Sequence, residues 1–289
     1  MLGAPPAAAQ TTDNFRQLAP TAWLLVGSGG NVVMVPDERG VLLIDDERPM
    51  DIEEMLAAAG SISPDPIRYV INTHWHLDHS GGNARLAREG AVIIAHRGVR
   101  ARLATDQFMA AYGRTVPASP DIALPVVVFD DTLDLNFGDE VVKLRHTPSA
   151  HTDGDSLVYL ETANVLHMGD VFFNGLFPFI DRSSGGSIQG LIASVEIALS
   201  IADSHTQVVP AHGDVATKAE LMAYRDMLTD VRDQVAAGIA AGETLDEIRQ
   251  RHPTASYALE GDADRFISAI YDSLIDPVPA FETVSGGAA

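Results

Sequence analysis

The ten residues Thr73-His74-Trp75-His76-Leu77-Asp78-His79-Ser80-Gly81-Gly82 hold three histidines and one aspartate between positions 74 and 79. The run Ile67-Arg68-Tyr69-Val70-Ile71-Asn72 before them reads as a short buried strand, and Asn83-Ala84-Arg85-Leu86-Ala87-Arg88 after them reads as the start of a helix. The cluster therefore falls on a loop at the carboxyl end of a strand, where α/β proteins usually place their chemistry. Neutral imidazole and carboxylate suit zinc, and also iron or manganese. His74 and His76, two residues apart, point the same way on an extended segment. Asp78 and His79 lie one turn further on, within reach of the same ion or a second one. A polar loop that hydrogen-bonds its own backbone would explain one lone histidine. It does not explain this spacing, with three more candidates downstream.

His-x-His-x-Asp-His resembles the signature of the metallo-β-lactamase superfamily. The resemblance runs from roughly Thr21 to Lys218 and keeps its order. His151 lies in Thr147-Pro148-Ser149-Ala150-His151-Thr152 after a strand. Asp170 ends Val165-Leu166-His167-Met168-Gly169-Asp170, and His212 lies in Val208-Val209-Pro210-Ala211-His212-Gly213, each at a strand end. Carried over, His74, His76 and His151 would hold one metal ion, Asp78, His79 and His212 a second, and Asp170 would bridge them. The resemblance implies an α/β fold, a four-layer αββα sandwich whose two halves meet at the metals. It also implies two zinc ions, with iron or manganese as alternatives.

With 289 residues the chain has enough length for one large core or two smaller ones. Ligands spread from residue 74 to residue 212 must meet, so one domain over residues 21–275 is expected. Residues 1–20, rich in Ala and Pro, read as a flexible lead-in, and residues 276–289 as a tail. Ala7-Ala8-Ala9-Gln10 resembles the end of a signal peptide, although the apolar stretch before it is short and has no basic start. That favours a periplasmic or secreted protein over a cytoplasmic one. The net charge of −21, from 19 basic and 40 acidic residues, argues against nucleic acid and anionic membrane surfaces as partners. No run of 18 apolar residues exists to span a membrane. There is no cysteine, hence no disulfide and no thiolate ligand or nucleophile, which excludes the β-lactamase subclass with a Cys zinc ligand.

Along the chain, Trp23–Val26 and Asn31–Val35 read as a hairpin turned by Gly27-Ser28-Gly29-Gly30, which in the superfamily often overhangs the site. Val41–Ile44 is a strand ending in Asp45-Asp46, and Asp45 is either a support for the histidine loop, as the resemblance implies, or a solvated turn residue. A helix is expected over Met50–Ala59, with Glu53 and Glu54 outward. His96, after strand Val92–Ala95, is read as structural. Residues 98–125 suggest a helix-like piece carrying Phe108, Met109 and Tyr112, either a cap or a lid with pocket-lining aromatics. Val126–Phe129, Thr132–Phe137 and Val141–His146 read as a meander, with Asp153 and Asp155 as loop residues rather than ligands. Phe172-Phe173-Asn174-Gly175-Leu176-Phe177-Pro178-Phe179, directly after Asp170, is either core or one wall of a hydrophobic pocket. Helices are expected over Ile188–Ala202, Thr217–Ala241, Leu245–Arg251 and Ala263–Leu274. In the second, Leu221, Leu228, Val231 and Val235 face inward, and Met222 and Met227 fill the core or its boundary.

The resemblance implies hydrolysis through a metal-bridging hydroxide, because coordination lowers the pKa of water from 15.7 to about 7. Asp78 would orient the hydroxide and shuttle its proton. The substrate is a small molecule of unspecified identity, and the oligomeric state is open. Opening of a cyclic amide or ester, with β-lactamase activity, is the first expectation. A thioesterase or lactonase of glyoxalase II type, which shares the Asp170 bridge, is the second. A non-catalytic metal carrier is the third, and a full ligand set argues against it. Where Cys-type β-lactamases place a lysine three residues after the bridging position, and lactone hydrolases a tyrosine, this chain has Phe173. Its C-terminal helices offer few basic residues with which to hold glutathione.

Overall fold

Short apolar runs, each ending in polar residues, build two sheets in the computed structural model, which describes residues 15–277. The first sheet takes β1 (Phe15–Ala19), β2 (Ala22–Val26), β3 (Asn31–Asp37) and β4 (Gly40–Ile44) as an antiparallel ladder. Helix α1 (Ile52–Ile62) then crosses over to β5 (Ile67–Asn72), parallel to β4. A single turn α2 (Leu77–Ser80) and helix α3 (Asn83–Arg88) lead to β6 (Val92–His96), parallel again. Helix α4 (Arg97–Leu103) and a separate hairpin, β7 (Gln107–Met109) with β8 (Arg114–Val116), leave the sheet, and β9 (Val127–Phe129) returns to its edge. The second sheet is β10 (Thr132–Phe137), β11 (Glu140–His146), β12 (Ser156–Leu160) and β13 (Val165–His167), antiparallel in that order, with β14 (Gln207–Val209) parallel to β13. Helix α5 (Ile188–Ile201) precedes β14, and α6 (Lys218–Ala240), α7 (Leu245–Gln250) and α8 (Ala263–Ile275) follow it.

The layers follow from which face of each strand is apolar. Val33, Val35, Leu42, Ile44 and Ile71 of the first sheet meet Val142, Leu144, Val158 and Leu160 of the second. The outer face of the first sheet, with Met34, Leu43 and Ile93, is covered by Ile52 and Met55 of α1 and Leu86 of α3. The outer face of the second, with Leu157 and Leu166, is covered by α5, α6 and α8 through Leu191, Val195, Leu228, Phe266 and Ile270. Both strands of a parallel pair are covered on two faces, so they read as continuous hydrophobic runs. The result is the four-layer αββα sandwich.

Several expectations shift. β1 occupies Phe15–Ala19, inside the stretch expected to be a flexible lead-in. The signal-peptide-like residues 1–10 lie outside the described residues, as do residues 278–289 of the tail. The meander expected from Val126 to His146 is split. β9 pairs with β6, and the chain switches sheets at Asp130-Asp131, because Phe129 and Phe137 both point into the inter-sheet core from opposite sides. Phe108, Met109 and Tyr112 belong to the β7–β8 hairpin and its 3-10 turn, not to a helix. α1 starts at Ile52, which leaves Met50 outside it and exposed. In α6 Leu221, Met227, Leu228, Val231 and Val235 are buried as expected, but Met222 is exposed. Among the described residues no helix is long and apolar enough to cross a membrane.

Candidate metal centre

All seven expected donors sit at the carboxyl ends of strands. β5 delivers the segment Thr73–His76 and the α2 turn with Asp78 and His79. β11 delivers the loop with His151, β13 the turn Gly169–Val171 with Asp170, and β14 the segment with His212. The two sheets are tied at this end. Asn31 Nδ2 donates to Pro210 O and Gly213 O, both at 2.8 Å, and Ser156 N donates to Thr73 O at 3.0 Å. Gly169 adopts φ +52°, and a Cβ there would lie 2.7 Å from Thr73 Oγ1, so only glycine lets these two loops touch.

The donors gather into two groups, His74, His76, His151 and Asp170, and Asp78, His79 and His212. In the first, His76 Nδ1 lies 3.1 Å from His74 Nε2 and 2.9 Å from His151 Nε2, and Asp170 Oδ2 lies 4.0 Å from His74 Nε2 and 3.4 Å from His151 Nε2. In the second, Asp78 Oδ2 lies 3.5 Å from His79 Nε2 and 3.6 Å from His212 Nε2. Asp170 Oδ1 is 3.4 Å from both histidine nitrogens of that group. The two oxygens of Asp170 thus face one group each.

The far side of each imidazole sets which nitrogen bears the proton. His76 Nε2 is 3.0 Å from Asp181 Oδ2, His79 Nδ1 is 2.9 Å from Asp45 Oδ2, and His151 Nδ1 is 2.6 Å from the Phe179 carbonyl. Those partners only accept, so these three nitrogens donate, and the opposite nitrogens turn bare lone pairs inward. His76 Nδ1 and His151 Nε2 then face each other lone pair to lone pair at 2.9 Å. Among the described residues, His79 Nε2 and Asp170 Oδ1 are buried without any hydrogen-bond partner. Such a set of acceptors is stable only around a cation. A tetrahedron with bonds of about 2.0–2.1 Å has edges of about 3.4 Å, and the spacings of 2.9–4.0 Å between these donors lie around that value. The residues therefore fit divalent metal ions.

The electrostatics differ between the groups, with neutral imidazoles at the first and a field at the second negative enough to hold a proton or a cation. Burial holds the imidazole of His74 well below its usual range and that of His151 down to about 4, so both are ready as neutral ligands. Burial also lowers His79, but Asp78, Asp45 and Asp170 outweigh it and raise it well above the usual value. His212 is raised in the same way, mainly by Asp170. Asp78 is driven well below the carboxylate range by His79 and His212, despite burial.

Asp45 supports the histidine loop as expected. Besides His79 it accepts from Thr73 N at 2.7 Å and Thr73 Oγ1 at 2.9 Å, and it sits at φ +64°, a conformation that costs energy for any residue but glycine. Asp155 is no ligand. Its carboxylate accepts from His151 N at 2.7 Å and Thr152 N at 2.8 Å and clamps that loop, and Asp153 pairs with Arg102. His96 caps α4 by accepting from Gly98 N and stacks on His146 at 3.7 Å, outside both groups. Asp181 was not singled out in the sequence. Its one local signal is Asp181-Arg182-Ser183-Ser184, where the side chain caps a 3-10 turn.

A cleft of about 880 Å³ opens over Asp78, Asp170 and His212. Ser28 and Gly29 of the β2–β3 hairpin form one side, and Met109, Tyr112 and Arg114 of the β7–β8 hairpin form another. The Phe-rich stretch divides. Phe172 packs on Tyr224 and Phe177 on Phe266 in the core. Phe173 stacks on His212 at 5.5 Å and Phe179 on His76 at 6.2 Å, both lining the cleft.

The chain is similar to several known proteins. The family model of the Metallo-beta-lactamase superfamily matches residues 25–216. A hydroxyacylglutathione hydrolase of Anaeromyxobacter dehalogenans (strain 2CP-C) is 28% identical over 222 residues, covering 74% of this chain and 73% of that protein. One from Polaromonas sp. (strain JS666 / ATCC BAA-500) is 29% identical over 226 residues, covering 75% and 76%. Among solved structures, a metallo-beta-lactamase from Pontibacter korlensis superposes with a TM-score of 0.60 at 18% identity, covering 75% of this chain and 98% of that one.

Proposed function

This chain belongs to the metallo-β-lactamase superfamily and is a metal-dependent hydrolase, and from that premise we propose that it hydrolyses a small thioester with two zinc ions. The observation that carries the reading is the similarity, over three-quarters of the chain, to two hydroxyacylglutathione hydrolases. Phe173, in place of a lysine that would hold a lactam carboxylate, supports it further. The likeness to β-lactamase structures, at 18% identity, speaks for the fold alone. Opening of a lactone or lactam by the same centre is the second reading, since the attacked carbonyl is common to all three.

In this reading His74, His76, His151 and Asp170 would hold one ion, and Asp78, His79 and His212 a second, with Asp170 facing both groups. When bound, the ions supply Lewis acidity and bring the pKa of a coordinated water from 15.7 to about 7. The chain's own residues do the rest. Asp78 is less buried than the histidines, at 31% side-chain exposure, and borders the cleft, where it can orient the attacking water and take its proton. Phe173 and Phe179 keep bulk water off the carbonyl, which strengthens every charge interaction there. Asp45, Asp181 and the Phe179 carbonyl keep the imidazoles aimed inward, so no reorganisation is needed during the reaction.

The test compares chelator-sensitive turnover of a hydroxyacylglutathione thioester with that of a chromogenic cephalosporin by zinc-loaded protein. A kcat/KM for the thioester at least about a hundredfold higher is expected. A higher value for the cephalosporin would overturn the thioesterase reading in favour of the lactam one. Two metal ions per chain by elemental analysis are expected, and one would remove the dinuclear assignment.

A further inference from the structure

Two arginines border the cleft, and they differ in what surrounds them. Arg48 donates to Asp51 at 2.6 Å and to Ser28 Oγ at 2.8 Å, so its charge is already matched. Arg114, on β8, has no carboxylate at ion-pair distance among the described residues. Its guanidinium lies 5.5 Å from the centroid of the Tyr112 ring. Tyr112 meets Phe179 edge-on at 5.7 Å, and Phe179 stacks on His76. A continuous aromatic wall thus leads from the first donor group to an unmatched cation at the cleft's edge. The hairpin that carries this cation is well anchored. Met109 and Val116 are buried against Trp75, Val99 and Leu103. Tyr112 is half exposed and Arg114 exposed; Arg265 also lies 5.3 Å from the Tyr112 ring and 5.8 Å from the Phe179 ring, but it pairs with Asp262 at 3.5 Å, which leaves Arg114 as the arginine of this wall without a carboxylate among the described residues.

In a chain of net charge −21 an anionic ligand meets general repulsion, and a cation at the cleft with no carboxylate partner among the described residues is a local feature able to offset it. A guanidinium presents paired N–H groups that match a carboxylate. We propose that Arg114 is a specificity residue that binds a carboxylate on the substrate, remote from the scissile acyl bond, while Tyr112 and Phe179 pack its apolar middle section. The substrate class is therefore an acyl compound with an anionic end rather than a neutral ester or thioester. This rests on the proposed function in placing the substrate in this cleft, but not on which acyl bond is cut.

Binding can be read without turnover. The zinc-loaded protein is titrated by calorimetry with S-hexylglutathione, a thioether that cannot be hydrolysed, and with its dimethyl ester. Wild-type protein binds the acid about tenfold or more tightly than the ester. Arg114→Gln weakens the acid about tenfold and leaves the ester within about twofold. Arg114→Lys restores part of the difference, and Arg88→Gln, on the exposed face of α3, changes neither. The preference shrinks as salt is raised. Equal affinity for acid and ester in the wild type, no binding of either, or an Arg114→Gln protein that keeps the preference would overturn the proposal. If the thioester of the preceding test is not hydrolysed while this charge preference persists, the reaction assignment fails and the anion site stands.

Discussion

Two groups of histidines lie in this molecule, and burial alone does not tell them apart. His74, His79 and His151 are at most 1% exposed, and His96, stacked on His146, is 2% exposed. Burial holds His151 and His96 alike down to about 4. What differs is the company. Around the cleft, Asp170 and Asp78 are aimed between the imidazoles, and acceptors are left without donors. At the other place His96 caps a helix, and His146 Nδ1 lies 2.9 Å from the Asp155 carbonyl. Asp155 belongs to both regions, since its carboxylate clamps the His151 backbone. A cluster of histidines becomes a candidate metal centre through surplus acceptors, not through burial.

Substitutions sharpen that contrast, beginning with the largest effect. Asp170→Ala removes the carboxylate that faces both groups. It should cost at least one metal ion per chain and roughly three orders of magnitude or more in kcat/KM. Unchanged metal content, by elemental analysis, would remove the bridging role. Asp78→Asn should lower kcat about a hundredfold or more while circular dichroism stays native, and normal turnover would make Asp78 a bystander. Asp181→Ala should weaken metal binding at the first group by about ten- to a hundredfold, because His76 loses the partner that orients it. A chelator competition that gave wild-type affinity would show that packing alone aims His76.

The smallest effect belongs to the second histidine group and concerns pH. His96 has a folded pKa of about 4, lowered by burial and then by His146, against about 6.5 unfolded. Between those values the unfolded chain binds a proton that the folded chain does not. Stability is therefore full above about pH 6.5 and falls as pH drops toward 4. His96→Asn keeps a helix-capping acceptor and removes the titration. Its stability by urea unfolding should drop less than that of wild type between pH 7 and 4.5, by roughly 2 kcal/mol. Parallel curves would show that His96 takes up its proton as readily in the folded chain as in the unfolded one.

Some features reach the sequence because they are local. His74 to His79 lie on one strand-to-turn segment, and the strands before His151, Asp170 and His212 are apolar runs whose polar ends stand out. The inward stripe of α6 follows the 3.6 period, and only Met222 departs from it. Phe15–Ala19 has no strong pattern of its own and merges with the lead-in. It becomes a strand by pairing with β2.

The sequence alone determined the candidate donors, their order and the strand ends that carry them, because contiguous residues and their periodicity encode these directly. Only the tertiary structure decided which nitrogen of each imidazole turns inward. Asp181 reaches His76 across 105 residues and Phe179 reaches His151 across 28. It also decided that β9 and β10 part into different sheets, that the Phe-rich stretch divides between core and cleft, and that Arg114 has no carboxylate beside it among the described residues. Each of these is settled by a neighbour distant in the chain, and such a neighbour leaves no local pattern to read.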